Sequence, residues 1–198
     1  MIKIQPYILI ITLIMSSCSG FDYFQAAPLI KNSLMGYKDI NISDEFYDQQ
    51  EYSFVKIKIG RSSPVILSLA FIEDGIYEWI SADEERIYTF NGKIIKTLGL
   101  DHNLNFLTGK SLPEFNLLPM TQSRLAELTN PSGMITQTAK IYADHNAGII
   151  YEEVVTSSFN WTYTNTYEVD QDSGLVKKST QKVHPYLSEF SIEFFYKF

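Results

Sequence analysis

From Tyr52 onward, apolar and polar residues alternate with a period of two. That period puts successive side chains on opposite faces of a strand. Residues 52–59 alternate cleanly and end at the turn sequence Gly60-Arg61-Ser62-Ser63-Pro64. Residues 65–72 form a more continuous apolar strand, closed by Glu73-Asp74-Gly75, and residues 76–81 form a third. Residues 86–90 and 93–98 flank Asn91-Gly92. Both of those residues tolerate positive φ, so the pair is a strong hairpin signal. Further strands are read over 135–143, 148–156, 161–169, 175–183 and 189–196.

Two stretches break the pattern. Residues 99–133 carry Pro113, Pro119 and Pro131, with one helix candidate over 121–128. They read as a crossover or a mobile functional insert. Residues 38–50 are polar and acidic and read as loop, while Tyr23, Phe24, Ala27, Ile30 and Leu34 fall near helical spacing. Nine or ten strands joined mostly by short turns argue an antiparallel meander. The expected fold is mainly β: an antiparallel β-sandwich or half-open β-barrel with one or two short helices.

The first residues follow other rules. Lys3 supplies a positive charge, residues 8–15 are apolar except for Thr12, and Ser16-Ser17-Cys18 follows. These are the parts of a secretory signal, too short for a comfortable span of about 20 residues. Met15-Ser16-Ser17-Cys18 resembles the bacterial lipobox, with Met where Leu is usual. The resemblance implies cleavage before Cys18, a thioether lipid on its sulfur, and palmitate-type acylation of the new amino terminus. Ser19, rather than Asp, resembles the outer-membrane sorting pattern. The expected organisation is a signal peptide over 1–17 and one β-rich domain over 18–198, with 18–50 as tether and helix.

Composition narrows the partners. The formal net charge of −7 disfavours nucleic acid and anionic headgroups. Membrane attachment is therefore expected through lipid at Cys18. That residue is the only cysteine, so no intrachain disulfide can form. The 13 Tyr, 13 Phe and 2 Trp suit a β core and equally suit sugar stacking.

The catalytic inventory is thin, and no cofactor or metal is expected. Asp101-His102 and Asp144-His145 lie in turn-like stretches. Asp170-x-Asp172-x-Gly174 hints at a calcium loop, but its twelfth position is Gln181 instead of a bidentate Glu. Glu78 beside Trp79, followed by Asp83, Glu84 and Glu85, places carboxylates near an aromatic, as sugar binding or acid–base work would need.

Trp79-Ile80-Ser81-Ala82-Asp83, the Asn91-Gly92 hairpin and Thr97-Leu98-Gly99-Leu100 resemble a stretch of the YjbF/GfcB-type lipoproteins. Tyr167-Glu168-Val169-Asp170, Ser173-Gly174-Leu175-Val176, Ser179-Thr180-Gln181 and Pro185 extend the similarity over most of the chain. Members are encoded with capsule and exopolysaccharide export genes. The resemblance implies an outer-membrane, periplasm-facing lipoprotein that assists polysaccharide export without being an enzyme. Polysaccharide or export-machinery proteins are its implied partners. Trp79, Ser81 and Asp83 are the candidate ligand-binding residues, and the family supplies no catalytic ones. Two other functions compete: an acyl-chain carrier with an open barrel groove, and a polysaccharide-modifying enzyme using Glu78, Asp83 or the Asp-His pairs.

Overall fold

The structure, a computed structural model, describes residues 40–109, 118–158 and 160–197. Cys18, the export signal and the helix expected near residues 23–34 lie outside the described residues. One short helix, α1 (Asp44–Gln49), is followed by β1 (Phe54–Ile59), β2 (Val65–Glu73), β3 (Ile76–Ile80), β4 (Arg86–Phe90), β5 (Lys93–Leu98) and β6 (Leu104–Phe106). The chain continues with β7 (Met120–Leu128), β8 (Gly133–Asp144), β9 (Ile149–Thr156), β10 (Thr162–Val169), β11 (Val176–Gln181) and β12 (Phe190–Phe195).

Each strand pairs antiparallel with its sequence neighbours, and β1 pairs with β12, Val55 opposite Phe194 and Ile57 opposite Ile192. That last pairing turns the expected sandwich or half-open barrel into a closed barrel. Alternation cannot distinguish these forms, because all three present one apolar face. The mainly β, antiparallel reading stands.

The expected helix over 121–128 is instead strand β7, paired with β8 along its whole length. The expected loop over 38–50 contains α1. Ser43 caps that helix by accepting from the Phe46 N–H, and Asp44 and Glu45 sit in its first turn. Phe46 and Tyr47 pack from outside onto Phe54, which stacks on Phe195 with centroids 4.7 Å apart. Phe54 therefore faces outward and is still buried.

Inward positions carry Val55, Leu67, Trp79, Ile87, Ile135, Ile141, Ile150, Phe190 and Ile192, all buried. Outward positions carry Lys58, Glu78, Arg86, Thr138, Lys140, Glu153 and Lys178. A membrane-spanning barrel needs the reverse, an apolar outer band. No helix among the described residues is long and apolar enough to cross a membrane.

The barrel is flattened. The β4–β5 turn reaches β11, so that a Cβ on Gly92 (φ +76°) would stand 2.5 Å from the Val176 Cβ. Gln181 completes the contact: its Oε1 accepts from the Ile94 N–H at 2.9 Å and its Nε2 donates to the Gly92 carbonyl at 2.8 Å. A register shift between Tyr88 and Thr89 in the β4–β5 ladder lies beside this contact. We expect Gly92→Ala to destabilise the fold by on the order of 2–4 kcal/mol, from left-handed strain plus overpacking. Urea unfolding checks it, and a loss below about 0.5 kcal/mol contradicts the close approach.

Candidate functional site

Polar groups inside an apolar barrel are costly unless they satisfy one another. Here they converge on Glu152 of β9, which has no exposed surface. Its Oε1 lies 2.7 Å from Arg124 Nη2 and 3.5 Å from Lys93 Nζ. Its Oε2 accepts from Asn165 Nδ2 at 2.7 Å and from the Tyr167 hydroxyl at 3.1 Å. Lys93 Nζ also donates to the Gly109 carbonyl at 3.3 Å. The cluster thus joins β5, β7, β9 and β10.

Burial pushes the Glu152 carboxyl up, but Lys93, Arg124 and the hydrogen bonds outweigh it and hold it down at about 2. Burial pushes Lys93 down to about 8, a shift that Glu152 only partly offsets. Burial, then the Glu152 charge, raises the Tyr167 phenol well above its ordinary value, so it stays a donor. Two cations thus face one carboxylate. Among the described residues, Arg124 Nε finds no hydrogen-bond partner.

Phe106 of β6 shields this cluster. Its ring centroid lies 4.7 Å from Lys93 Nζ and 5.3 Å from the Arg124 guanidinium carbon. Phe106 and Ile95 are also the floor of a groove of about 280 Å³ that opens on the outer wall. The groove exists because β5 and β6 are joined at a single residue pair, Lys96 with Asn105. Its rim carries Phe71, which is 58% exposed, and Tyr88. Glu73, Asp74 and Glu78 line one side, Lys96 and Asn105 the other. The Glu78 carboxylate accepts from Arg86 at 2.9 Å and from the Tyr88 hydroxyl at 3.1 Å, and Lys96 Nζ stands 5.2 Å from the Tyr88 ring centroid. A second outer groove, of about 260 Å³, is polar and lined by Lys56, Lys58, Lys178, Glu168 and Glu193.

The residues singled out from sequence scatter. Trp79 points into the barrel and is fully buried, stacked on Tyr77, with its indole N–H donating to Thr89 Oγ1 at 2.9 Å. It presents no face to a ligand. Ser81 is buried in the β3–β4 turn, where its hydroxyl accepts from the Glu85 N–H, and Asp83 is exposed in that turn. Glu78 alone of the sequence candidates reaches the groove.

Among the described residues, His102 and Asp144 bond to groups other than the adjacent Asp or His. His102 stacks on His184 at 4.8 Å, and burial, then His102, pushes His184 down to about 4. Asp144 accepts from the Asn146 and Ala147 N–H groups of its own turn. Asp170 accepts from the Ser173 N–H and hydroxyl, so the suspected calcium loop is a tight turn. No group of three or more potential ligands gathers among the described residues.

We expect Glu152→Gln to cost about 3–5 kcal/mol in urea unfolding, because it strands two buried cations. In the parent protein the unfolded chain holds a proton on Lys93 between pH 8 and 10.5 that the folded chain has released, so stability rises with pH across that window. Glu152 acts at the other end: its contribution is full above 4.5 and is lost as pH falls toward 2. A Glu152→Gln variant as stable as the parent contradicts the ionised cluster.

Known proteins resemble this chain. The chain is 25% identical to the uncharacterized lipoprotein GfcB of Escherichia coli K12, over 89% of this chain and 91% of that protein. It is 23% identical to the uncharacterized lipoprotein YjbF of the same organism, over 90% and 79% respectively. The crystal structure of the hypothetical lipoprotein YmcC from Escherichia coli K12 superposes with a TM-score of 0.69 at 20% identity, covering 86% of this chain and 95% of that one, and shows the same fold. The family model of the group 4 capsule polysaccharide lipoproteins GfcB and YjbF matches residues 29–127 and 134–195. That match spans the Trp79–Asp83 segment and the Asn91-Gly92 hairpin, and the chain belongs to the YjbF family of group 4 capsule polysaccharide lipoproteins.

Proposed function

We propose that this protein is a non-enzymatic accessory factor in capsule or exopolysaccharide export, held at the periplasmic face of the outer membrane by lipid on Cys18. The observation that carries the reading is the family match across nearly all of a barrel whose outer wall is charged. Such a wall gives no means of entering a bilayer, so a covalent anchor is what would place the domain at a membrane. The lipobox-like sequence ending at Cys18 supplies the attachment point.

The packed interior argues against the acyl-carrier alternative. Trp79, Tyr167, Phe190 and Gln181 are fully or almost fully buried where a carrier would need an empty lumen, and Gln181 bridges to β5. Two of the carboxylates weighed for an enzyme have structural partners: Glu78 holds Arg86 and Tyr88, while Asp144 holds its own turn. The protein would act by binding and positioning.

Deleting the gene is expected to reduce surface polysaccharide several-fold, measured as cell-associated polymer. Complementation with the parent gene should restore it. Complementation with Cys18→Ala should fail, and mass spectrometry should find no lipid on the variant. An unchanged polysaccharide layer in the deletion strain contradicts the export role.

A further inference from the structure

We propose that the groove over the β5–β6 seam binds an uncharged stretch of a saccharide chain, with Phe71 as its stacking platform. This rests on the polysaccharide reading above and adds the surface that performs it.

Three features of the groove converge. Phe71 is a large aromatic left 58% exposed at the groove rim. A flat apolar ring of this kind suits the C–H face of a sugar, provided polar groups stand at its edge to meet the hydroxyls. Glu78 and Asn105 stand there, one offering carboxylate acceptors and the other an amide with both donor and acceptor. The floor does not depend on the ligand to form: Phe106 is backed by two buried cations, and Glu78 is fixed by Arg86 and Tyr88. Preformed walls spare a ligand the ordering cost that weakens binding to mobile surfaces.

Charge selects the occupant. Three carboxylates, Glu73, Asp74 and Glu78, face two cations, Lys96 and the Arg86 that pairs with Glu78, so the rim keeps a small negative excess. That balance repels a polyanion and leaves an uncharged sugar free to hydrogen-bond. The volume of about 280 Å³ sits at the lower edge of small-molecule sites, which run from roughly 300 Å³, and suits a short saccharide segment. The opening itself follows from the register. β5 and β6 share one residue pair, and the groove lies over that seam with the buried Ile95 and Phe106 beneath it.

The test is calorimetric titration of the full-length lipidated protein, in detergent, with neutral oligosaccharides cut from the producing strain's surface polysaccharide. Saturable binding is expected, weakened at least tenfold by Phe71→Ala and by Asn105→Ala and kept by Phe71→Trp. Phe71 and Asn105 sit at the outer wall, so circular dichroism should report an unchanged fold. Equal affinity in Phe71→Ala and parent overturns the groove, as does absence of binding. Preferential binding of acidic fractions overturns the charge argument, and capture of an export protein without saccharide binding overturns the occupant. Complementation separates this proposal from the export reading. If Phe71→Ala fully restores polymer to a deletion strain that had lost it, export stands and the groove falls.

Discussion

A carboxylate shut inside an apolar barrel must find its countercharges within a few ångströms or lose its charge. Glu152 finds them on strands far apart in sequence, Lys93 on β5 and Arg124 on β7, and takes two further hydrogen bonds from β10. Each partner reaches it only if its own strand stands at the right height in the wall. The cluster therefore fixes register as well as charge. A one-residue slip in β7 would turn Arg124 out to solvent and bring an outward neighbour in. An apolar core alone tolerates many arrangements of similar volume, whereas a buried ion cluster tolerates few.

The same economy of partners explains the barrel's shape. Gln181 hands its amide to the backbone of β5 on the opposite wall, and Tyr167 lies between Gln181 and Glu152. The walls are drawn together and the interior is filled by side chains. With no described lumen, chemistry has to be presented on the outside, and the wall opens where β5 and β6 are least joined. Groove and cluster are thus two sides of one feature, with Phe106 between them.

The hairpins were legible in the sequence because their signals are local. Asn91-Gly92 and Asp74-Gly75 sit at positive φ in turns, as their residue types favour. Closure was not legible, since the pairing of β1 with β12 joins the two ends of the strand series. Strand β7 was misread for a physical reason: Arg124 occupies an inward position, so the apolar alternation is broken there and Leu125 and Leu128 mimic a helix face. Its partner, Glu152, is 28 residues away, and no local pattern could reveal the pairing. Lys93 hid in the same way. Trp79 was visible as an aromatic, but the face it uses depends on the barrel's inside and outside. α1 was missed because its short polar sequence shows only Phe46 and Tyr47 to the wall.

Interior polar contacts, beyond strand pairing, hold the flattened barrel together. Native-state hydrogen exchange at the Ile94 amide, in the parent and in Gln181→Leu, addresses it most directly. In the parent this amide should exchange only through global opening, as slowly as the Val154 amide of β9. In the variant it should exchange about tenfold or more faster than Val154, the effect of losing roughly one hydrogen bond. An Ile94 amide that keeps pace with Val154 in both proteins would contradict it.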